Sequence, residues 1–155
     1  MTNDNYIKTL SFNKTPQQVF NAINDVTAWW SEDFKGASRK QNDAFEVRFD
    51  DVHYSKHKLV DVIPNEKVIW LVTDSRLNFL KDKSEWNNMT NVFEITHQGD
   101  RTQLRFTHVG LTPEIECFSA CSKGWDYFLE SLRSFVTTGK GNPHKASKQK
   151  QTTTA

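Results

Sequence analysis

The sequence predicts an α+β domain made of one sheet, two short helices and one long C-terminal helix. Three observations carry this. From Glu114 to Thr138 the residues Phe118, Cys121, Trp125, Phe128, Leu132 and Phe135 recur every three or four positions, which places them on one helical face. Between Phe45 and His108 the hydrophobic period falls to two, as in half-buried strands. Ahead of those strands, a first strand is followed by a short helical excursion, and strand, helices, strands, helix is an α+β order.

Each element has its own signal. Tyr6, Lys8, Leu10 and Phe12 alternate with Ile7, Thr9 and Ser11, predicting a first strand. Thr15-Pro16-Gln17-Gln18 combines an N-cap, a proline at the first helical position and a capping-box glutamine, and Val19, Phe20, Ile23 and Val26 supply the apolar face. A second short helix or turn ends in Trp29-Trp30. After Gly36, Phe45, Val47 and Phe49 alternate with Glu46, Arg48 and Asp50. His53 to Ile63 reads as a longer strand of mixed phase, with Tyr54, Val60 and Val62 on one face and Leu59 and Ile63 on the other. Pro64-Asn65-Glu66 is a turn, and Val68 to Thr73, apolar on both faces, is a central strand. Arg76 to Asn88 reads as a long loop or lid, a length that usually has a function. Asn91 to His97 and Thr102 to His108 form a hairpin around Gln98-Gly99-Asp100, with Phe93, Ile95, Leu104 and Phe106 inward. The last helix is expected to start at Thr112-Pro113-Glu114, to run about 37 Å and to stop at Gly139 and Gly141. Gly124, in its middle, costs about 1 kcal/mol relative to Ala.

A chain of 155 residues makes one domain, expected over residues 1–139. Residues 140–155, KGNPHKASKQKQTTTA, read as a basic, disordered tail. Setting aside Lys140, Lys145, Lys148 and Lys150 leaves 16 of the 20 Lys and Arg against 19 Asp and Glu, so the body is near −3. That argues against nucleic-acid binding, which calls for a basic face. With no run of eighteen apolar residues and no signal-peptide pattern, the expectation is a cytoplasmic protein with no membrane partner. Cys117 and Cys121 stand one helical turn apart, where Cβ atoms lie about 5–6 Å from each other. A disulfide needs about 3.5–4.5 Å, so reduced, buried thiols are expected.

The order of elements resembles the helix-grip fold of the START-like superfamily (the SRPBCC group). More narrowly, the chain is similar to the bacterial single-domain proteins related to the C-terminal domain of the activator of the ninety-kilodalton heat-shock protein ATPase. The residues that carry this are Thr15-Pro16 with Val19-Phe20, Trp29-Trp30, Val68-Ile69-Trp70 and Glu85-Trp86. Later come Phe106-Thr107-His108-Val109-Gly110-Leu111, Trp125 and Thr138-Gly139-Lys140-Gly141. The resemblance spans Tyr6 to Pro143. It implies a curved antiparallel sheet wrapped around the long helix, with a cavity between them. One fold of this kind hosts many functions, so function is argued from the site.

The candidate lining of that cavity is Trp30, Tyr54, Trp70, Phe93, Phe106, His108, Cys121 and Trp125, an apolar set with a few polar groups. The alternative is that these aromatics fill the core. The Arg76 to Asn88 loop and Trp29-Trp30 are candidate gates. No metal or cofactor site is expected. His53 and His57 lie four apart on a strand, about 13 Å if straight, too far to share one ion. Two cysteines without a CxxC make no zinc site, and no Walker loop, dinucleotide fingerprint or nucleophile elbow occurs. The leading expectation is a non-enzymatic module, monomer or homodimer, that holds a small hydrophobic molecule. A chaperone-interaction domain is the second reading. A cyclase or isomerase using His108 or Tyr54 for proton transfer is the third.

Overall fold

In the computed structural model, which describes residues 5–145, seven antiparallel strands form one sheet in the order β1-β7-β6-β5-β4-β3-β2. The strands are β1 (Tyr6–Phe12), β2 (Phe34–Gly36), β3 (Ala44–Phe49), β4 (His53–Ile63), β5 (Lys67–Leu77), β6 (Thr90–Gln98) and β7 (Arg101–Val109). Helices α1 (Pro16–Asn24) and α2 (Val26–Trp29) join β1 to β2, and α3 (Phe118–Thr138) follows β7. The curved sheet and long helix make a helix-grip α+β fold.

Most elements sit where the local signals place them. Thr15 caps α1 through a complete capping box with Gln18. The β6–β7 hairpin pairs Phe93 with Phe106 and Ile95 with Leu104, inward residues that cross-strand contact locks together. β5 is the central strand of the seven and runs four residues beyond Thr73. The mixed phase of β4 has a cause: its register against β5 slips between Leu59 and Asp61, leaving Val60 as the extra residue, whereas the shift between Lys56 and His57 places the extra residue, Thr73, on β5. The irregularity at Val60 resets which residues of β4 face inward. β2, a three-residue edge strand, has no periodicity to announce it.

The long helix starts later than expected. Thr112 does not cap it; residues 112–117 form turns and the helix begins at Phe118, so it is about 31 Å long. A distant carboxylate does the capping. Glu85 accepts the backbone N–H of Glu116 and of Cys117, each at 3.0 Å, placing negative charge at the positive end of the helix. Glu116 returns the arrangement by accepting the N–H of Lys81 and Asp82. The loop from 78 to 88 is thereby tied to the start of α3.

Cys117 and Cys121 form a disulfide with Cα atoms 5.5 Å apart, which corrects the expectation of free thiols. Cys117 is the N-cap, with φ −83° and ψ −2°, and precedes the first helical residue. Its Cβ is therefore not held to the spacing of a helix interior. At the other end, Gly139 adopts φ 86° and caps α3. Gly141 serves a different end from the expected helix stop: an added Cβ there would lie 2.4 Å from the carbonyl of Ala28. The expected tail therefore does not begin at residue 140. His144 bridges Ser31, donates its N–H to Trp30 O and accepts from Glu32 N, and Asn142 N–H bonds Ser131 Oγ. The expectation of disorder for 146–155 lies outside the described residues. Among the described residues no helix is long and apolar enough to cross a membrane.

Candidate functional site: an aromatic cavity at the start of the long helix

Strand alternation and helical period bring all five tryptophans into one run of ring contacts. Trp29 stacks on Trp70, Trp70 on Trp30 at 5.5 Å, Trp30 on Trp125 at 5.1 Å, and Trp125 lies nearly parallel to Trp86 at 6.2 Å. The run begins in the closed core and ends at Trp86, itself buried, on the wall of an opening to the surface. At that outer end is a cavity of about 260 Å³. α3 supplies Ala120, Cys121, Gly124, Trp125 and Phe128; the sheet and its β3–β4 turn supply Phe49, Val52 and His53. Trp30 and the two loop residues Phe79 and Trp86 complete the wall. None of these side chains is charged at neutral pH. Val52 and Phe79 are 50% and 44% exposed, so apolar surface rims the opening.

Three histidines stand in or behind this wall, His53 in it and His57 and His108 behind. Ser55 Oγ lies 2.8 Å from His53 Nε2 and 2.8 Å from His57 Nε2, a relay along the inner face of β4. His108 Nδ1 accepts the indole N–H of Trp125 at 2.9 Å and its Nε2 approaches Met89 Sδ at 3.3 Å. Burial lowers the pKa of His53 to about 3. Burial, with a smaller effect of His53, lowers His108 to about 3. Burial, then His53 and His108, depresses His57 well below the ordinary value. All three rings are neutral near pH 7, so the site is uncharged as well as apolar. A larger groove, about 390 Å³, runs past Lys14, Arg101 and Arg133. Its two arginines are engaged by Ser11, through Oγ and the backbone carbonyl.

The comparisons with known proteins follow this geometry. The family described as Activator of Hsp90 ATPase homolog 1-like protein matches residues 13–137. The chain belongs to that family. No curated protein sequence matches significantly. Among solved structures, the Aha1 dimer from Colwellia psychrerythraea is similar with a TM-score of 0.72 and 23% identity, over 91% of this chain and 100% of that one. A protein from Staphylococcus saprophyticus gives 0.67 at 14% identity, over 89% and 95%. DynU16, from the dynemicin biosynthetic locus, gives 0.67 at 16% identity, over 90% of this chain and 49% of its own. At these identities the likeness is one of fold.

The family member described here departs from the lining expected from its sequence. Trp30, Cys121 and Trp125 border the cavity. Trp70, Phe93 and Phe106 do not: each is fully buried, packed ring to ring one layer deeper. His108 is fully buried as well and buttresses Trp125 from behind. Tyr54 points from the opposite face of the sheet, where Arg48 lies over its ring at 4.5 Å. Neither of the two proton-transfer candidates considered from sequence, His108 or Tyr54, borders the cavity. Trp29, one of the two residues read as a gate, is buried beneath Trp30. Sequence reasoning missed Phe49, Val52, His53, Phe79, Trp86, Ala120, Gly124 and Phe128. Two signals pointed at some of them: Phe79 and Trp86 lie in the long loop, and Ala120, Gly124 and Phe128 repeat every four residues beside Cys121 and Trp125. Among the described residues no group of three or more His, Cys, Asp or Glu side chains is placed to hold a metal ion.

Proposed function

We propose that this protein binds a small apolar molecule in the cavity between the start of α3, the β3–β4 turn and the 78–88 loop. One observation carries the reading. At Gly124, in the middle of a helix that glycine weakens, an added Cβ would meet no atom within 4 Å. No packing demand excludes a side chain there, and what its absence leaves is open space on the cavity wall. Around that space stand indole and phenyl rings without a charge, the composition of a small-molecule site. Gly124→Leu fills the space from the cavity side of α3 and tests the reading. Native mass spectrometry of protein purified without organic solvent, followed by denaturing extraction, is expected to show a bound small molecule in the wild type and none in Gly124→Leu. Equal occupancy in both, in a variant that unfolds at the same urea concentration or higher, would overturn it.

A second reading, association with an Hsp90-type ATPase or with another copy of this chain, is favoured by the family match over residues 13–137 and by the dimer of the Colwellia protein. The exposed apolar rim of Val52 and Phe79 is the surface that such a contact would cover. Sedimentation of the purified protein alone and with the ATPase tests it; a monomer that leaves the ATPase unaffected counts against it. For work in a reducing cytoplasm, the compartment expected from the sequence, the Cys117–Cys121 bond is open to reduction, so both assays are run with and without dithiothreitol.

A further inference from the structure

Two side-chain nitrogens on the lining residues carry no hydrogen bond among the described residues, Trp30 Nε1 and His53 Nδ1, and the buried relay behind His53 sets what its nitrogen does. Trp86 Nε1–H donates to Cys117 Sγ and Trp125 Nε1–H to His108 Nδ1. His53 bonds Ser55 only through Nε2, and among the described residues its Nδ1 has no hydrogen-bond partner. His53 lines the cavity, so Nδ1 is a group a ligand can meet.

Ser55 sits between two imidazole nitrogens but has one proton. It must donate to one ring and accept from the other. Burial keeps both rings neutral, so each has a single N–H. If His57 Nε2–H donates to Ser55 Oγ, then Ser55 donates to His53 Nε2 and the proton of His53 sits on Nδ1, facing the cavity. His57 Nδ1 is then a bare lone pair. The reverse arrangement puts a proton on His57 Nδ1, which is buried and has no hydrogen-bond partner. The rings of Trp30 and Trp70 stand at 67° and 64° to His57, and an indole face takes an N–H only weakly. An orphaned buried N–H is rarer in proteins than an under-used acceptor, which favours the first arrangement.

The cavity thus offers neutral N–H donors and no cation. A carboxylate entering it would lose its water without gaining a counter-charge, at high cost. The volume, about 260 Å³, lies below the range of about 300–1,000 Å³ typical of ligand pockets and suits one or two fused rings. Flat aromatic walls favour a flat aromatic occupant. We propose that the cavity takes an uncharged aromatic molecule carrying a carbonyl-type oxygen, seated so that this oxygen accepts a hydrogen bond from His53 Nδ1. This rests on the ligand-binding reading above.

The test uses the full chain and two probes of one shape, 2-acetylnaphthalene and 2-isopropenylnaphthalene, which differ by C=O against C=CH2. Tryptophan fluorescence gives the affinity of each for wild type, His53→Phe and Gly124→Leu. The ratio of ketone to alkene affinity is expected to be roughly fivefold to tenfold higher in wild type than in His53→Phe, the worth of one net hydrogen bond. Both probes are expected to be lost in Gly124→Leu. A ratio unchanged by His53→Phe, with both probes still lost in Gly124→Leu, overturns the anchor and leaves the cavity reading standing. Probes that do not bind wild type, or that bind Gly124→Leu equally well, overturn both. Imidazole nitrogen NMR of the wild type gives an independent check that does not require a variant to fold. His53 is expected to be protonated on Nδ1 and His57 on Nε2, and the reverse pattern overturns the proposal.

Discussion

The two ends of α3 meet the same sheet in opposite ways. Towards its C-terminus, Leu129 and Leu132 are fully buried, and α1 and α2 pack against the helix. Ser131 Oγ there donates to Trp29 O at 2.8 Å and accepts from Asn142 N at 2.6 Å. Backbone from three segments is stitched at one hydroxyl. Towards its N-terminus, Ala120, Gly124 and Phe128 border open space, and the opposing wall is a loop held by reciprocal carboxylates and by the Trp86 N–H bond to Cys117 Sγ. Volume supplied by two extra helices closes one end. At the other end no such element arrives, and small residues on α3 leave the gap unfilled.

The largest expected effect separates the two ends by truncation. Trp70→Ala removes a fully buried indole from the closed core and should cost about 3–5 kcal/mol. Phe79→Ala at the open rim should cost under about 1 kcal/mol. Urea denaturation measures both, and comparable losses would erase the distinction.

Acid should act through the histidines at the boundary between the ends. A histidine held neutral by burial binds a proton more readily when unfolded, so stability is complete above the unfolded pKa of about 6.5 and falls as pH drops toward the folded value. For His53 and His108 the folded value is about 3, and the pKa of His57 is lowered in the same direction. At pH 5.5 His53 and His108 should each have lost about 1.4 kcal/mol, with His57 adding a loss of the same sign. Unfolding at pH 7.5 and 5.5 measures this, and His53→Phe should remove the share of His53. A stability that does not change over that interval would show that the three rings are not held neutral by the fold.

Reducing the Cys117–Cys121 bond loosens the open end alone. A loop this short predicts a cost of about 2 kcal/mol on the chain-entropy account. Because Trp86 donates to Cys117 Sγ, reduction should also change tryptophan emission. An unchanged emission spectrum, with thiol titration showing both cysteines reduced, would disconnect the bond from the cavity wall. The smallest effect has the opposite sign: Gly124→Ala should stabilise by about 1 kcal/mol, since its Cβ meets nothing within 4 Å. A loss of stability would mean that the space is not open.

Much of the fold was legible locally. The limits of β1, the capping box of α1, the end of α2 at Trp29 and the inward residues of the β6–β7 hairpin all follow from spacing and turn chemistry. The site was legible only in part. Trp30, Cys121 and Trp125 could be placed near it, but Trp70, Phe93 and Phe106 share the same character and lie a layer deeper. Hydrophobicity reports burial and does not distinguish a wall from the filling behind it. Tyr54 was misplaced because the irregularity at Val60 puts it out of phase with Val62, a slip that the sequence of β4 does not announce.

By itself the sequence determined most of the helices and strands and, outside β2 and β4, which face turns inward, because period and capping are properties of neighbouring residues. Tertiary structure alone decided three things. Glu85, about thirty residues upstream, sets where α3 starts. Ser55 couples His53 to His57 because strand alternation and the local twist of β4 bring both rings to one hydroxyl. The cavity exists because the side-chain volumes delivered by α3, the β3–β4 turn and the 78–88 loop fall short of the space they enclose. A void is a difference between distant contributions, and no stretch of chain encodes that difference on its own.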